Sequence, residues 1–224
     1  MRIQTVFAVL LAAPAVLAAQ GSSSQGVDMS VGVRVGTMGI GVDANKLISS
    51  HVGARVGFNV FSKNTTREED DISFDAKVKL HSFTALLDLY PSARGSFHLT
   101  GGIITNPLEF TGVGVPTGSG YEIDGTTYTA AQVGTLNASG EFPSVLPYVG
   151  FGFGTPAKAK KGVKFVVDLG VGIGQPTLNL TATNPLNNAQ LAAHVENQRV
   201  KTQDDIRKYL QVYPSVTLGL AFAF

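Results

Sequence analysis

Four histidines, His51, His81, His98 and His194, are the side chains here best suited to move a proton near neutral pH. His81 and His98 are expected to face inward on strands, with Ser82, Asp88 and Ser96 close by in sequence. Nucleophilic catalysis needs a nucleophile, a base and an orienting group in contact, and no spacing here matches a known nucleophile motif. The expectation is that these histidines hydrogen-bond their neighbours and that the chain is not an enzyme. There is no cysteine, which removes thiolate metal sites and disulfides. No His, Asp and Glu spacing points to a dedicated metal site, and no cofactor is expected. The run Val171-Gly172-Ile173-Gly174 lies within an alternating stretch and precedes no helix, so it fails as a phosphate loop on context.

A larger set of charged residues shares one property. Arg34, Asp43, Arg55, Asp75, Lys77, Lys79, Asp88, Lys164 and Asp168 all sit in stretches where large apolar residues occupy every second position. Confined together, mixed charges form paired networks, because an unpaired buried charge is costly. What must position them is therefore a set of strands with one apolar face and one face of ions and glycine.

The period-two signal recurs through most of the chain. At the C-terminus Val216, Leu218, Leu220, Phe222 and Phe224 share one face, and Ser215, Thr217, Gly219, Ala221 and Ala223 the other. Val31, Val33 and Val35 alternate with Ser30, Gly32 and Arg34; Val56, Phe58 and Val60 alternate with Arg55, Gly57 and Asn59. Near Ser82 the parity slips, and a β-bulge is the expected cause. A soluble sandwich would carry Lys, Glu and Thr on its polar faces. Glycine is the commonest choice instead, which weakens an exposed strand but makes room inside a narrow barrel. The bulky faces are thus expected to meet lipid and the glycine-and-ion faces the interior.

Composition agrees. Charged residues make up 15% of the chain, against about 25% in soluble domains. A net charge of +1 gives no reason to expect nucleic acid as a partner. Residues 1–19 read as a secretion signal, with Arg2 ahead of the apolar run Val6–Val16 and small residues Ala18 and Ala19 at the cleavage site. Nothing downstream approaches the ~20 apolar residues a membrane helix needs. Residues 20–224 are then one domain spanning a membrane as strands.

Strands are predicted near 27–36, 38–45, 51–61, 71–90, 96–106, 144–154, 163–181 and 211–224, with Gln175-Pro176 breaking the seventh. The fold class is all-β: a transmembrane antiparallel up-and-down barrel of about eight strands with one helix on the extracellular side. Connections near 46–50, 91–95 and 155–162 are short, and those near 62–70, 107–143 and 182–210 long, so the long ones face outward. Within the longest, Tyr121–Thr129 reads as a hairpin about Asp124-Gly125, a type I′ signal, expected to prolong the barrel wall. Asn137-Ala138-Ser139 matches a glycosylation acceptor by chance. Residues 187–210 read as a helix with a narrow apolar stripe, lying on the rim or dipping into the lumen.

The alternating strands, the alternation of short turns and long loops, and the ending on Val216, Leu218, Leu220, Phe222 and Phe224 resemble the small outer-membrane barrels of the OmpA, OmpX and OmpW type. In that class such an ending resembles the signal read by the barrel-assembly machinery. The resemblance implies residence in the outer membrane of a Gram-negative envelope, with outer-membrane lipid and lipopolysaccharide as surroundings. The sequence stops at that strand, so a cell-wall tether through a C-terminal peptidoglycan-binding domain is not expected. A structural or surface-interaction role is the leading expectation. A narrow channel or binding barrel for small hydrophobic or anionic solutes, plugged by the 182–210 segment, is the second, and a lipid-modifying enzyme the third. Oligomeric state is left open.

Overall fold

The computed structural model describes residues 29–69, 72–93, 95–105, 108–116, 120–154, 161–209 and 211–224. The secretion-signal reading of residues 1–19 lies outside them.

Strands β1 (Met29–Gly36), β2 (Gly39–Ser49), β3 (Val52–Glu69), β4 (Ile72–Leu89) and β5 (Phe97–Thr105) are joined as a meander. After them come β6 (Glu109–Pro116), the short arms β7 (Tyr121–Ile123) and β8 (Thr126–Tyr128), the single turn α1 (Ala130–Val133) and β9 (Leu136–Glu141). The chain continues through β10 (Val145–Phe153), β11 (Gly162–Ile173), β12 (Thr177–Ala182), α2 (Ala189–Tyr209) and β13 (Val212–Ala223). All pairings are antiparallel, and they trace a ring. β1 pairs with β2 and β13, β4 with β3 and β5, and β10 bridges β5 to β11, which returns to β13. The rim that carries Met29 and Phe224, joined by a backbone hydrogen bond of 3.1 Å, is the lower rim below; β3 and β4 rise past the opposite, upper rim.

Above the upper rim the wall continues on one side. The lower half of β4 pairs with β5 (Phe83↔Thr105 to Leu89↔Leu99) and its upper half with β6 (Lys79↔Glu109 to Ile72↔Pro116). β6 in turn pairs with β9, and β9 with β12. So β6, β9 and β12 prolong the lines of β5, β10 and β11 after a break in each. The breaks contain Pro143 and Pro176, which have no amide hydrogen for a ladder. The alternating stretch predicted as one strand over 163–181 is in this way two strands.

β7 and β8 form their own two-stranded sheet. Asp124 (φ 52°) and Gly125 (φ 75°) both adopt the left-handed conformation that a type I′ turn requires. The hairpin does not extend the wall as expected. It packs inside the upper sheet, where Tyr121, Ile123, Tyr128, Val133, Leu191 and Val195 form a small apolar core with Leu136, Leu180 and Ala182. α2 starts at Asn188, whose Oδ1 accepts from the amides of Gln190 (3.0 Å) and Leu191 (3.2 Å), satisfying two free donors of the first turn. Arg207 and Lys208 close its last turn, where cations oppose the helix dipole. Its apolar stripe is only Leu191 and Val195. Polar ties to the hairpin and to β12 therefore complete its docking. No described helix is long and apolar enough to cross a membrane.

Candidate functional site

The ring sorts its residues by side. Outward-facing Val33, Ile40, Phe58, Leu87, Phe151, Phe165 and Leu220 are 43–61% exposed. Inward-facing Arg34, Asp43, Arg55, Asp88, His98 and Asp168 are all buried, at 9% exposure or less. Glycine makes the inward crowding possible. A Cβ at Gly152 would lie 2.5 Å from Asp168 Oδ1 and 2.6 Å from His98 Nε2, and one at Gly170 would collide with the Tyr148 ring.

The buried ions form one network. Arg34 Nε donates to Asp43 Oδ1 at 2.7 Å, and Arg34 Nη1 donates to Asp168 Oδ2. Arg55 Nη1 donates to Asp168 Oδ2 and Arg55 Nη2 to Asp88 Oδ1, each at 2.9 Å. Thr100 Oγ1 donates to Asp88 Oδ1 at 2.7 Å, and Asn45 Nδ2 to Asp88 Oδ2 at 3.3 Å. Asp168 is the hub: two guanidiniums and the His98 ring, at 2.9 Å, converge on its two oxygens. Charged hydrogen bonds of this kind are the strong ones, and they join β1, β2, β3, β4, β5 and β11 across the ring.

Toward the upper rim the interior turns apolar. Met38, Leu80, Leu86, Ile104, Phe142, Leu146, Tyr148 and Tyr213 form a buried cluster. Between it and the ions lies a cavity of about 30 Å³, lined in part by Arg34, Arg55, Tyr148 and Asp168. That is room for about two or three water molecules.

Of the nine charged residues predicted to face inward, the structure brings Arg34, Asp43, Arg55, Asp88 and Asp168 together. Asp75, Lys77 and Lys79 are exposed and belong to the part of β4 above the ring. Asp75 accepts a 2.7 Å hydrogen bond from Thr66 Oγ1. The reason corrects the expected bulge: the β3–β4 register runs unbroken from Val52↔Leu89 to Glu69↔Ile72. Even-numbered residues from Leu80 to Asp88 face inward throughout, and odd-numbered ones outward. The apparent slip near Ser82 is a change in the type of outward residue, with Phe83, Leu87 and Leu89 outermost below and Asp75, Lys77, Lys79 and His81 outermost above. Lys164, near the lower rim, is half-buried and stands apart from the network. Val216, Leu218, Leu220, Phe222 and Phe224 all face outward, 44–58% exposed.

The histidines separate widely. His51 is in an exposed turn with its Nδ1 2.9 Å from Ser50 Oγ, and His81, expected inside, is outside the wall on the odd-numbered face of β4. His194 on α2 meets the Tyr128 hydroxyl at 2.8 Å. His98 is 2% exposed, held by Asp168 and packed against the Tyr90 ring at 5.4 Å between centroids. Ser82 bonds Asn59 instead, at 3.3 Å, and Ser96 is exposed. The described residues contain no cluster of three or more potential metal ligands. Sequence reasoning missed Asn45 and Thr100 as network members, although both lie on inward faces of alternating strands. It missed the apolar cluster because Leu80 reads as outward by its chemistry, and only the parity of the whole strand turns it inward.

No protein-family model matches this sequence, and no curated protein matches it. Solved structures do. Acinetobacter baumannii CarO2 aligns at a TM-score of 0.59 and 18% identity, over 89% of this chain and 100% of that one. Acinetobacter baumannii CarO aligns at 0.58 and 16%, over 88% and 98%. The chain shares the fold of these two. A major outer membrane protein of Thermus thermophilus aligns at 0.44 and 12%, over 88% and 99%. At such identities the likeness to CarO2 and CarO extends to the mainly antiparallel ring-like sheet and its helix, and no further.

Proposed function

We propose that this chain is an integral outer-membrane protein. It crosses the bilayer as an eight-stranded barrel of the size class of OmpA, OmpX and OmpW, closed to general passage, and presents the upper sheet, hairpin and α2 outside the cell. The single observation that carries this reading is the sorting of the ring: bulky Val, Leu, Ile and Phe outside, a paired ion network inside. In water that arrangement would expose a continuous apolar girdle far larger than soluble monomers carry; in lipid it is the expected one. On this reading residues 1–19 are removed on export, and Phe224 with its alternating partners is read by the assembly machinery. Lipid and lipopolysaccharide surround the wall.

The role is structural and interactive rather than catalytic or conductive. His98, the best-placed base, is buried and committed to Asp168, and the cavity beside the ion network has room for only a few waters. The refolded chain in detergent should migrate faster on gels unheated than boiled, and should give no discrete conductance steps in planar bilayers. A chain soluble without detergent, with heat-independent migration, would contradict the membrane assignment. Stable conductance steps would contradict closure.

A further inference from the structure

The outer face of the wall changes its chemistry row by row as it rises. On β4 the exposed Phe83, Leu87 and Leu89 lie lowest. His81 follows, and then a row of ions that crosses three strands: Lys79 stands opposite Glu109 of β6, and Glu109 opposite Glu141 of β9. Above that row the outward side chains are mainly short hydroxyls and amides, with Asn64 and Thr66 on β3, Thr111 on β6, Ser139 on β9 and Asn179 on β12. Lys77 and Asp75 of β4 are the charged exceptions. Among the described residues, the outward faces of β1, β5, β10, β11 and β13 carry no charge, so the ion row is confined to one side of the ring.

Two recesses follow the same order. One of about 270 Å³ lies at the ion row, where the wall breaks between β5 and β6, and is lined by Lys79, His81, Glu109, Glu141 and Ser144. The other, of about 410 Å³, lies in the rows above and is lined by Asn64, Thr66, Asp75, Lys77 and Thr111. Lys79 and Lys77 are two residues apart on β4, a rise of about 7 Å, so the recesses are stacked. None of Lys79, His81, Glu109 and Glu141 is engaged by an ion pair or side-chain hydrogen bond among the described residues. Directly facing like charges are unfavourable, so Glu109 and Glu141 call for a cation, while Lys79 and His81 offer donors to an anion. The rows above offer the donors and acceptors that sugar hydroxyls need. From below upward, the matching partner has acyl chains, then phosphates with their counter-cations, then sugars. A phospholipid ends at its headgroup and leaves the hydroxyl and amide rows without a counterpart. Water does not account for the rows either, since the exposed Glu196, Lys201, Asp204 and Lys208 of α2 show that charge is freely used elsewhere in the same lobe.

We propose that the outer face of β3, β4, β6 and β9 above the ring is a docking face for lipopolysaccharide. A phosphate lies at Lys79 and His81, its counter-cation between Glu109 and Glu141, and the inner-core sugars against Asn64, Thr66 and Thr111. The inference rests on the membrane-spanning reading and deepens it. It makes lipopolysaccharide a specific partner of one side of the wall rather than the surroundings of all of it.

The test uses the full mature chain in magnesium buffer, in nanodiscs of phosphatidylglycerol doped with a short lipopolysaccharide that keeps the lipid A phosphates and inner-core sugars. Native mass spectrometry identifies the retained lipid. The expected result is enrichment of the lipopolysaccharide over its share of the bilayer by about fivefold or more. Lys79→Ala with His81→Ala should abolish the enrichment, as should a magnesium chelator, with heat-modifiable migration kept because both side chains are exposed. Asn64→Ala with Thr111→Ala should lower the enrichment of lipopolysaccharide and leave that of lipid A, which lacks the core sugars, as it was. Lys46→Ala, on the outward face of β2 near the lower rim, should change nothing. A native chain that inserts without enrichment overturns this site alone. So does enrichment that survives Lys79→Ala with His81→Ala or the chelator, that is lost in Lys46→Ala, or that responds equally for both lipids to Asn64→Ala with Thr111→Ala. A chain that fails to insert at all overturns the membrane reading with it.

Discussion

The ring and the lobe above it are built on opposite rules from one continuous wall. In the ring, Asp168, Arg34 and Arg55 are inside and Phe151 and Leu220 outside. In the lobe, Leu191, Val195 and Tyr121 are inside, while Glu196, Arg199 and Lys201 on the same helix are outside or at its edge. β4 passes through both without a change of register. The comparison teaches that parity belongs to the strand but polarity belongs to the surroundings. The outward residues of β4 change from Phe and Leu to Lys and Asp, which on the proposed reading marks where the medium changes. The interior changes from ions to Leu80 and Phe142 at about the same level.

Each half should therefore fail in its own way. The largest effect is expected for Asp168→Ala, which leaves Arg34, Arg55 and His98 without their shared acceptor. Breaking a buried pair from one side costs about 3–5 kcal/mol. Urea unfolding in detergent, read by loss of the fast-migrating form, should show it, with hydrogen exchange in α2 unchanged beforehand. Leu191→Ala should cost about 2–5 kcal/mol in the lobe, raising exchange in α2 and the hairpin while heat-modifiable migration persists. A joint collapse in either variant would mean that ring and lobe are one cooperative unit. Leu220→Arg, 58% exposed in the native protein, should cost about 2–4 kcal/mol in lipid. An arginine at the same degree of exposure on α2 should cost almost nothing.

The smallest effect is a pH dependence confined to the lobe. Hydrogen bonds from Lys201 (2.5 Å) and Asn197 (3.1 Å) hold the Asp124 carboxyl below its usual range. A depressed carboxylate contributes fully above its unfolded pKa, and that contribution is lost as pH falls through the folded one. Protection of the amides of β7, β8 and the middle of α2, taken relative to their intrinsic exchange rates at each pH, should be flat from neutrality down to about pH 5 and fall below about pH 4. Asp124→Asn should remove the dependence.

Much of this is legible from residue types alone, because the alternation carries both the strand and its orientation. Parity by itself places Arg34, Asp43, Arg55, Asp88 and Asp168 inside, and the hairpin turn follows from Asp124-Gly125. What the sequence hides is where the surroundings change. Lys77 and Lys79 read as inward only if Val78 and Leu80 face outward, an inference that holds along the ring and fails above it. The upper strands β6, β9 and β12 read as loop or as the tail of another strand. Their sequences, such as Leu136–Glu141 with its Asn, Ser and Gly, have little alternation, since one face meets water and the other a small core. The pairing of Arg34 with Asp168, 134 positions away, is set by ring geometry, which no local pattern encodes.

The central claim, that the bulky faces meet hydrocarbon, has a direct test because the chain contains no tryptophan. Single replacements Phe151→Trp and Phe222→Trp on the outer face, and Phe142→Trp in the interior cluster, can be reconstituted into bilayers whose acyl chains carry bromine. The account expects strong quenching of the two outer tryptophans and none of the inner one. Quenching of Phe142→Trp with emission from the outer pair unaffected would contradict it.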